Sequence, residues 1–194
     1  MPNANDSRRG EAAQVDGATQ PTQGNLKGQE TAPRMKTPLQ WLWLAVVVII
    51  LDLGSKWLAL FALNYDQPVT IIPGFFNLTL MYNHGAAFSF LADNSGWQRW
   101  LLAAIAIIAA LLLGFWLTRL KAGQARMAAA LALIIGGAIG NLFDRMVNGY
   151  VVDFLSFHWQ QVYYYPTFNI ADSAITIGAV LLILDSFTGK KVKR

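Results

Sequence analysis

Three aspartates, Asp144, Asp153 and Asp172, stand in or beside apolar runs of this chain. An ionised carboxylate costs about 2.5–3.5 kcal/mol at the centre of a membrane helix on insertion scales. Asn141 and Asp144 close one run, and Asn169 and Asp172 open another. Each N-x-x-D spacing places an amide and a carboxylate on the same helix face. Asp153 lies between them, in Tyr150-Val151-Val152-Asp153-Phe154-Leu155. Two carboxylates in a dry site cannot both ionise easily, so they share a proton. One then acts as base to a water molecule while the other acts as acid to the substrate. That is aspartic-peptidase chemistry, and it requires no Ser or Cys nucleophile, no metal and no cofactor.

Sequence neighbours assign the pair. Arg145 follows Asp144 at once, a permanent cation that favours a fixed carboxylate, so Asp144–Arg145 reads as a supporting ion pair. Asp153 and Asp172 have no basic neighbour and sit among Val, Phe, Ile and Ala. Desolvation favours the protonated carboxyl that a general acid needs, which makes Asp153 and Asp172 the expected dyad. Asp52 and Lys56, four residues apart, share a helix face and read as a mutually neutralising pair.

Other chemistries find less support. Ser55 adjoins Lys56, and side chains at i and i+1 do not face each other on a helix. The chain has no cysteine, which excludes disulfides and thiolate nucleophiles. His84 and His158 lie far apart without a metal-ligand spacing and read as interfacial hydrogen-bonding residues.

The elements that must carry these groups are membrane helices. Of the 194 residues, 55% are hydrophobic and 13% charged, against about 25% charged in soluble domains. Lipid is the solvent this composition suits. Four apolar stretches approach the roughly 20 residues a spanning helix needs: Trp41–Leu63, Trp100–Leu120, Met127–Phe143 and Ile170–Phe187. Gly136 and Gly140 give the third a GxxxG spacing that permits close helix contact. Residues 1–34 are polar, with four basic and four acidic residues, and read as a disordered tail ahead of a membrane domain spanning 35–194.

Basic residues set the orientation. Arg34 and Lys36, then Arg119, Lys121 and Arg126, then Lys190, Lys191, Lys193 and Arg194 put both termini and the 119–126 loop on the cytoplasmic side. The clustered aspartates then fall toward the outer face. In the first external connection, Phe76, Leu78, Leu80 and Tyr82 alternate with Asn77, Thr79, Met81 and Asn83, a strand pattern. Turns at Asn83-His84-Gly85 and Asp93-Asn94-Ser95-Gly96 suggest a small sheet lying on the membrane. Residues 146–168 hold eight aromatic side chains and read as an interfacial segment.

Taken in order, five boxes resemble those of signal peptidase II, the bacterial lipoprotein signal peptidase family. They are Asp52-Leu53-Gly54-Ser55-Lys56, Asn83-His84-Gly85-Ala86-Ala87-Phe88-Ser89, Gly140-Asn141-Leu142-Phe143-Asp144-Arg145, Val151-Val152-Asp153-Phe154 and Phe168-Asn169-Ile170-Ala171-Asp172-Ser173-Ala174. The resemblance covers roughly residues 40–190. It implies a four-helix aspartic endopeptidase of the bacterial inner membrane that cleaves prolipoproteins before a diacylglyceryl-modified cysteine. It places the catalytic pair on Asp153 and Asp172. Supporting or substrate-binding roles fall on Asp52, Lys56, Asn83, Gly85, Asn141, Asp144, Arg145 and Asn169. The expected partners are those precursors and membrane lipids, with no nucleic acid, and the chain is expected to act as a monomer. Leu53 departs from the family, which often has Gln there, and the polar tail is longer than usual.

Two other functions compete with this reading. A small proton-coupled transporter or channel needs ionisable residues through both halves of the membrane, whereas the cytoplasmic halves of these stretches hold almost none before Asp185. A non-enzymatic assembly factor leaves the three clustered aspartates without a role.

Overall fold

The computed structural model describes residues 38–85, 96–160 and 162–188. The polar tail, the Asp93–Ser95 part of the second expected turn and the basic residues from Lys190 onward lie outside the described residues. After a short 3-10 turn at Pro38–Trp41, four helices follow: α1 (Leu42–Ala62), α2 (Trp97–Thr118), α3 (Ala125–Val147) and α4 (Ile170–Thr188). All four are long and apolar enough to cross a membrane. The 23 residues of α3 reach about 34 Å at 1.5 Å per residue, against a hydrocarbon core of about 30 Å.

α3 is the central helix, packed against the other three, and its glycines explain how. A Cβ on Gly136 would stand 2.8 Å from the Ala45 carbonyl oxygen of α1, and one on Gly140 would stand 2.5 Å from an Asp52 oxygen. The expected GxxxG contact is therefore with α1. Gly137 meets the Ala171 carbonyl oxygen of α4 on another side, and Gly178 of α4 meets Ile134 and Ala130 of α3. Large side chains such as Trp57, Phe61, Leu111, Phe115 and Ile183 point outward, toward the lipid such a bundle requires.

Two strands come from the α1–α2 connection and two from the α3–α4 connection: β1 (Val69–Ile72), β2 (Phe76–Asn83), β3 (Val151–Trp159) and β4 (Tyr163–Tyr164). They form one antiparallel sheet in the order β1-β2-β3-β4. Strands β3 and β4 thus lie within the interfacial segment expected at 146–168. It pairs with the strand read at 76–83, with Tyr82 facing Val152 and Met81 facing Asp153. A register shift between Leu78 and Met81 interrupts that ladder. Periodicity within one segment reveals a strand but not its partner, and here the partner lies about 70 residues away.

Candidate active site

Asp153 enters the site from β3. It is 1% exposed. Asn83 Nδ2 donates to its Oδ2 at 3.0 Å, and Asn169 Nδ2 donates to its Oδ1 at 2.7 Å. Burial and the neighbouring Asp172 carboxylate push the Asp153 carboxyl up to about 7, against the partial compensation of those two amide hydrogen bonds.

Asp172 enters from the first turn of α4. Residues before that turn are bound to β3: Phe154 and Leu155 donate to the Phe168 carbonyl at 3.1 and 2.9 Å, and Phe168 N–H returns a bond to Leu155. Asn169 therefore emerges beside Asp153 and starts the helix there. Its Oδ1 accepts the Asp172 N–H at 2.9 Å, the geometry of an N-cap, with the side-chain oxygen meeting the third helical N–H. From α3, Asn141 Nδ2 reaches Asp172 Oδ1 at 2.7 Å.

Three asparagines thus hold the two carboxyls, each with its amide oxygen occupied by another donor. Asn83 Oδ1 accepts the Gly85 N–H at 2.9 Å across the bend at His84. Gly85 is at φ +107°, left-handed backbone that glycine adopts without strain. A Cβ there would stand 2.9 Å from Leu102 Cδ1, so that side chain would have to shift. An amide whose oxygen is engaged presents its N–H groups to its other partners, and at each asparagine these include an aspartate.

Behind the asparagines lies a buried charge cluster. Lys56 Nζ contacts Asp52 Oδ2 at 2.7 Å, Asp144 Oδ2 at 3.0 Å and Asn141 Oδ1 at 3.0 Å. Lys56 is 2% exposed and Asp52 fully buried. The expected Asp52–Lys56 pair is present but shared with Asp144, which corrects the expected Asp144–Arg145 ion pair. Side chains at i and i+1 diverge on a helix, and Arg145 donates instead to the Asn141 carbonyl at 3.1 Å. Its charge still acts on Asp172, Asp153 and Asp144.

The cluster also ties elements together. Asp144 Oδ2 accepts the Val152 N–H at 3.0 Å, next to Asp153. Asp52 Oδ1 accepts the Ala171 N–H at 2.8 Å, next to Asp172. Helix N-termini carry unpaired N–H groups and partial positive charge, so a buried carboxylate is a suitable anchor for the start of α4.

The structure brings together every site residue expected from the sequence. His84 is exposed, with its ring edge-on to Tyr150, and His158 stacks on Tyr164. Ser55 Oγ donates back to the Asp52 carbonyl at 2.9 Å. Asp185 faces Arg126 at 3.9 Å where α4 ends and α3 begins. Sequence reasoning missed the backbone N–H groups of Val152 and Ala171, and it missed Gly137 and Gly178. The small-residue spacing Ala174–Gly178 carried a usable signal for the last of these.

The family model described as Signal peptidase (SPase) II matches residues 44–188. The chain is 58% identical over 153 residues to the lipoprotein signal peptidase of Pseudomonas aeruginosa (strain UCBPP-PA14), covering 79% of this chain and 90% of that protein. It is 54% identical to the same enzyme of Pseudomonas putida, with the same coverage. A solved structure described as a bacterial membrane enzyme, determined by the in meso method, superposes with a TM-score of 0.67. That protein is 30% identical, and the match covers 81% of this chain and 97% of that one.

Proposed function

The chain belongs to the signal peptidase II family, and from that premise we propose that Asp153 and Asp172 are the catalytic pair with which it removes signal peptides from prolipoproteins. The observation that carries the assignment is the ring of Asn83, Asn141 and Asn169, whose N–H groups converge on these two carboxyls. Asp144 and Asp52 are instead engaged by Lys56 and by backbone N–H groups.

The pair holds one proton. Its ionised carboxyl takes a proton from water, and the hydroxide oxygen bonds to the scissile carbonyl carbon as the partner protonates the carbonyl oxygen. Collapse of this tetrahedral adduct breaks the C–N bond, and the leaving nitrogen takes up a proton through the same pair. The protein is a multi-pass protein of the bacterial inner membrane. In this reading both termini face the cytoplasm, the dyad lies near the outer face and the chain works as a monomer surrounded by lipid. The basic residues flanking the helices support that orientation.

Lipid on the substrate cysteine sets the depth of the scissile bond. A precursor anchored by its signal helix keeps its tails in lipid before and after docking, so discrimination comes from position. Purified protein is expected to cleave a diacylglyceryl-modified precursor at least about 10²-fold faster than its unmodified form, the cost of misplacing a reacting group by about 1 Å. The assay compares one precursor with and without prior lipidation in matched lipid. Equal rates would make the chain a general intramembrane peptidase.

A pH profile tests the dyad independently. With the Asp153 carboxyl at about 7, the shared proton is present at lower pH and is lost as pH rises through that value. Turnover should therefore fall on the alkaline side with a one-proton slope. Asn83 donates to Asp153 and so favours its charged form. Asn83→Ala removes that bias, and the alkaline limb should move to higher pH. A limb that stays in place or moves down would separate it from Asp153.

A further inference from the structure

We propose that Lys56 is a positioning residue for the reaction: it fixes the orientation of the Asn141 amide, and through it the hydrogen bond that holds Asp172. The inference rests on the dyad reading above.

The Asn141 side chain can face Asp172 in either of two orientations. Only one presents N–H, and the other would set oxygen against oxygen. Two donors select the productive one, Lys56 Nζ at 3.0 Å and Asn169 Nδ2 at 3.2 Å, both on Asn141 Oδ1. Asn169 is a weak selector. Its two hydrogens face three acceptors, and the shortest bond, 2.7 Å, goes to Asp153, ahead of Asn141 at 3.2 Å and Val152 O at 3.3 Å. Lys56 has three hydrogens for three acceptors, Asp52, Asp144 and Asn141, so one is available to Asn141 throughout. The ammonium bonded to two carboxylates is also held in place, which a neutral donor on a flexible stem would not be.

The competing role is purely structural, neutralisation of Asp52 and Asp144, and a double-mutant cycle separates the two. Lys56→Met, Asn141→Leu and the double variant are purified in lipid, and kcat and KM are measured per mole of folded enzyme. Lys56→Met alone is expected to lower kcat by about 10- to 100-fold with little change in KM, the scale of one charge-assisted hydrogen bond. In the Asn141→Leu background the same change should lower kcat no further, because the amide it orients is gone. Multiplicative losses, or an unchanged kcat in Lys56→Met, would overturn the assignment.

If Lys56→Met does not fold, the cycle is run with Asp52→Asn, which keeps the cluster's net charge: one Lys against two Asp gives −1, and Asp144 alone gives −1. An oxygen for the Ala171 N–H is retained. Failure of that background as well would make Lys56 a folding residue and reject the proposal. An Asp172→Asn arm distinguishes the premise, since full activity there would remove the dyad while leaving the Lys56–Asn141 coupling measurable.

Discussion

Asp153→Asn and Asp172→Asn are each expected to lower turnover of a lipidated precursor by about 10³-fold or more, within the range that positioned acid–base groups supply. Both variants should still insert, because an amide is cheaper than a carboxylate in a dry site. They should differ in stability. At position 172 the new amide can turn its oxygen toward Asn141 Nδ2, which already donates to Oδ1. At position 153, Asn83 and Asn169 donate to separate oxygens. Asparagine has only one oxygen, so an N–H group is left facing an N–H group, at a cost of about 1–3 kcal/mol. Asp153→Asn should therefore unfold more readily than Asp172→Asn while being equally inactive. Asp144→Asn should show another pattern. It weakens the buried contact with Lys56, and breaking such a pair costs about 3–5 kcal/mol, so abundance and activity should fall together. Cleavage rates and thermal unfolding of the three purified variants decide the matter. Sustained turnover by either dyad variant would move the catalytic role elsewhere.

Gly137→Ala is expected to lower activity by about 10²-fold, although it adds a single methyl group seven positions from the nearest carboxylate in sequence. That methyl would overlap the Ala171 carbonyl oxygen and stand 2.7 Å from Ile175 Cγ1. A backbone carbonyl inside a helix cannot rotate away, so α4 must move as a body. Asp172 is the next residue after Ala171, and its N–H bond to Asn169 and its side-chain bond from Asn141 move with it. Overpacking of this kind costs about 1–3 kcal/mol, and a shift of about 1 Å at the reacting group costs about 10²-fold in rate. Gly54→Ala is the control, since a Cβ there meets nothing within 4 Å. It should be neutral or slightly stabilising, as glycine in a helix interior costs about 0.5–1 kcal/mol relative to alanine. Activity and melting temperature of the two variants in the same lipid make the comparison. A Gly137→Ala enzyme as active and stable as Gly54→Ala would show that α4 tolerates displacement.

The sequence by itself determined the solvent, the four spans and the chemistry. Helix spans follow from the length of apolar runs, which the bilayer enforces without reference to other segments, so the runs at 41–63, 100–120, 127–143 and 170–187 match α1 to α4 to within a few residues. The N-x-x-D repeats and the isolated Asp153 were legible because polar groups in apolar sequence are costly and few. Partnership was not legible. Asp144 adjoins Arg145 in sequence yet bonds to Lys56, 88 positions earlier, because helical geometry turns adjacent side chains apart while packing against Gly136 and Gly140 brings α1 onto α3. The neighbours of Asp153 and Asp172 read as apolar, but their contacts in space are amides drawn from β2, α3 and the residue that starts α4. Strand alternation announced β2 without revealing β3 as its partner, and that pairing carries Asn83 to Asp153. Spans and chemistry are local properties of the chain, fixed by composition and period. The orientation of each carboxyl depends on contacts between segments far apart in sequence, and only the tertiary structure decides those.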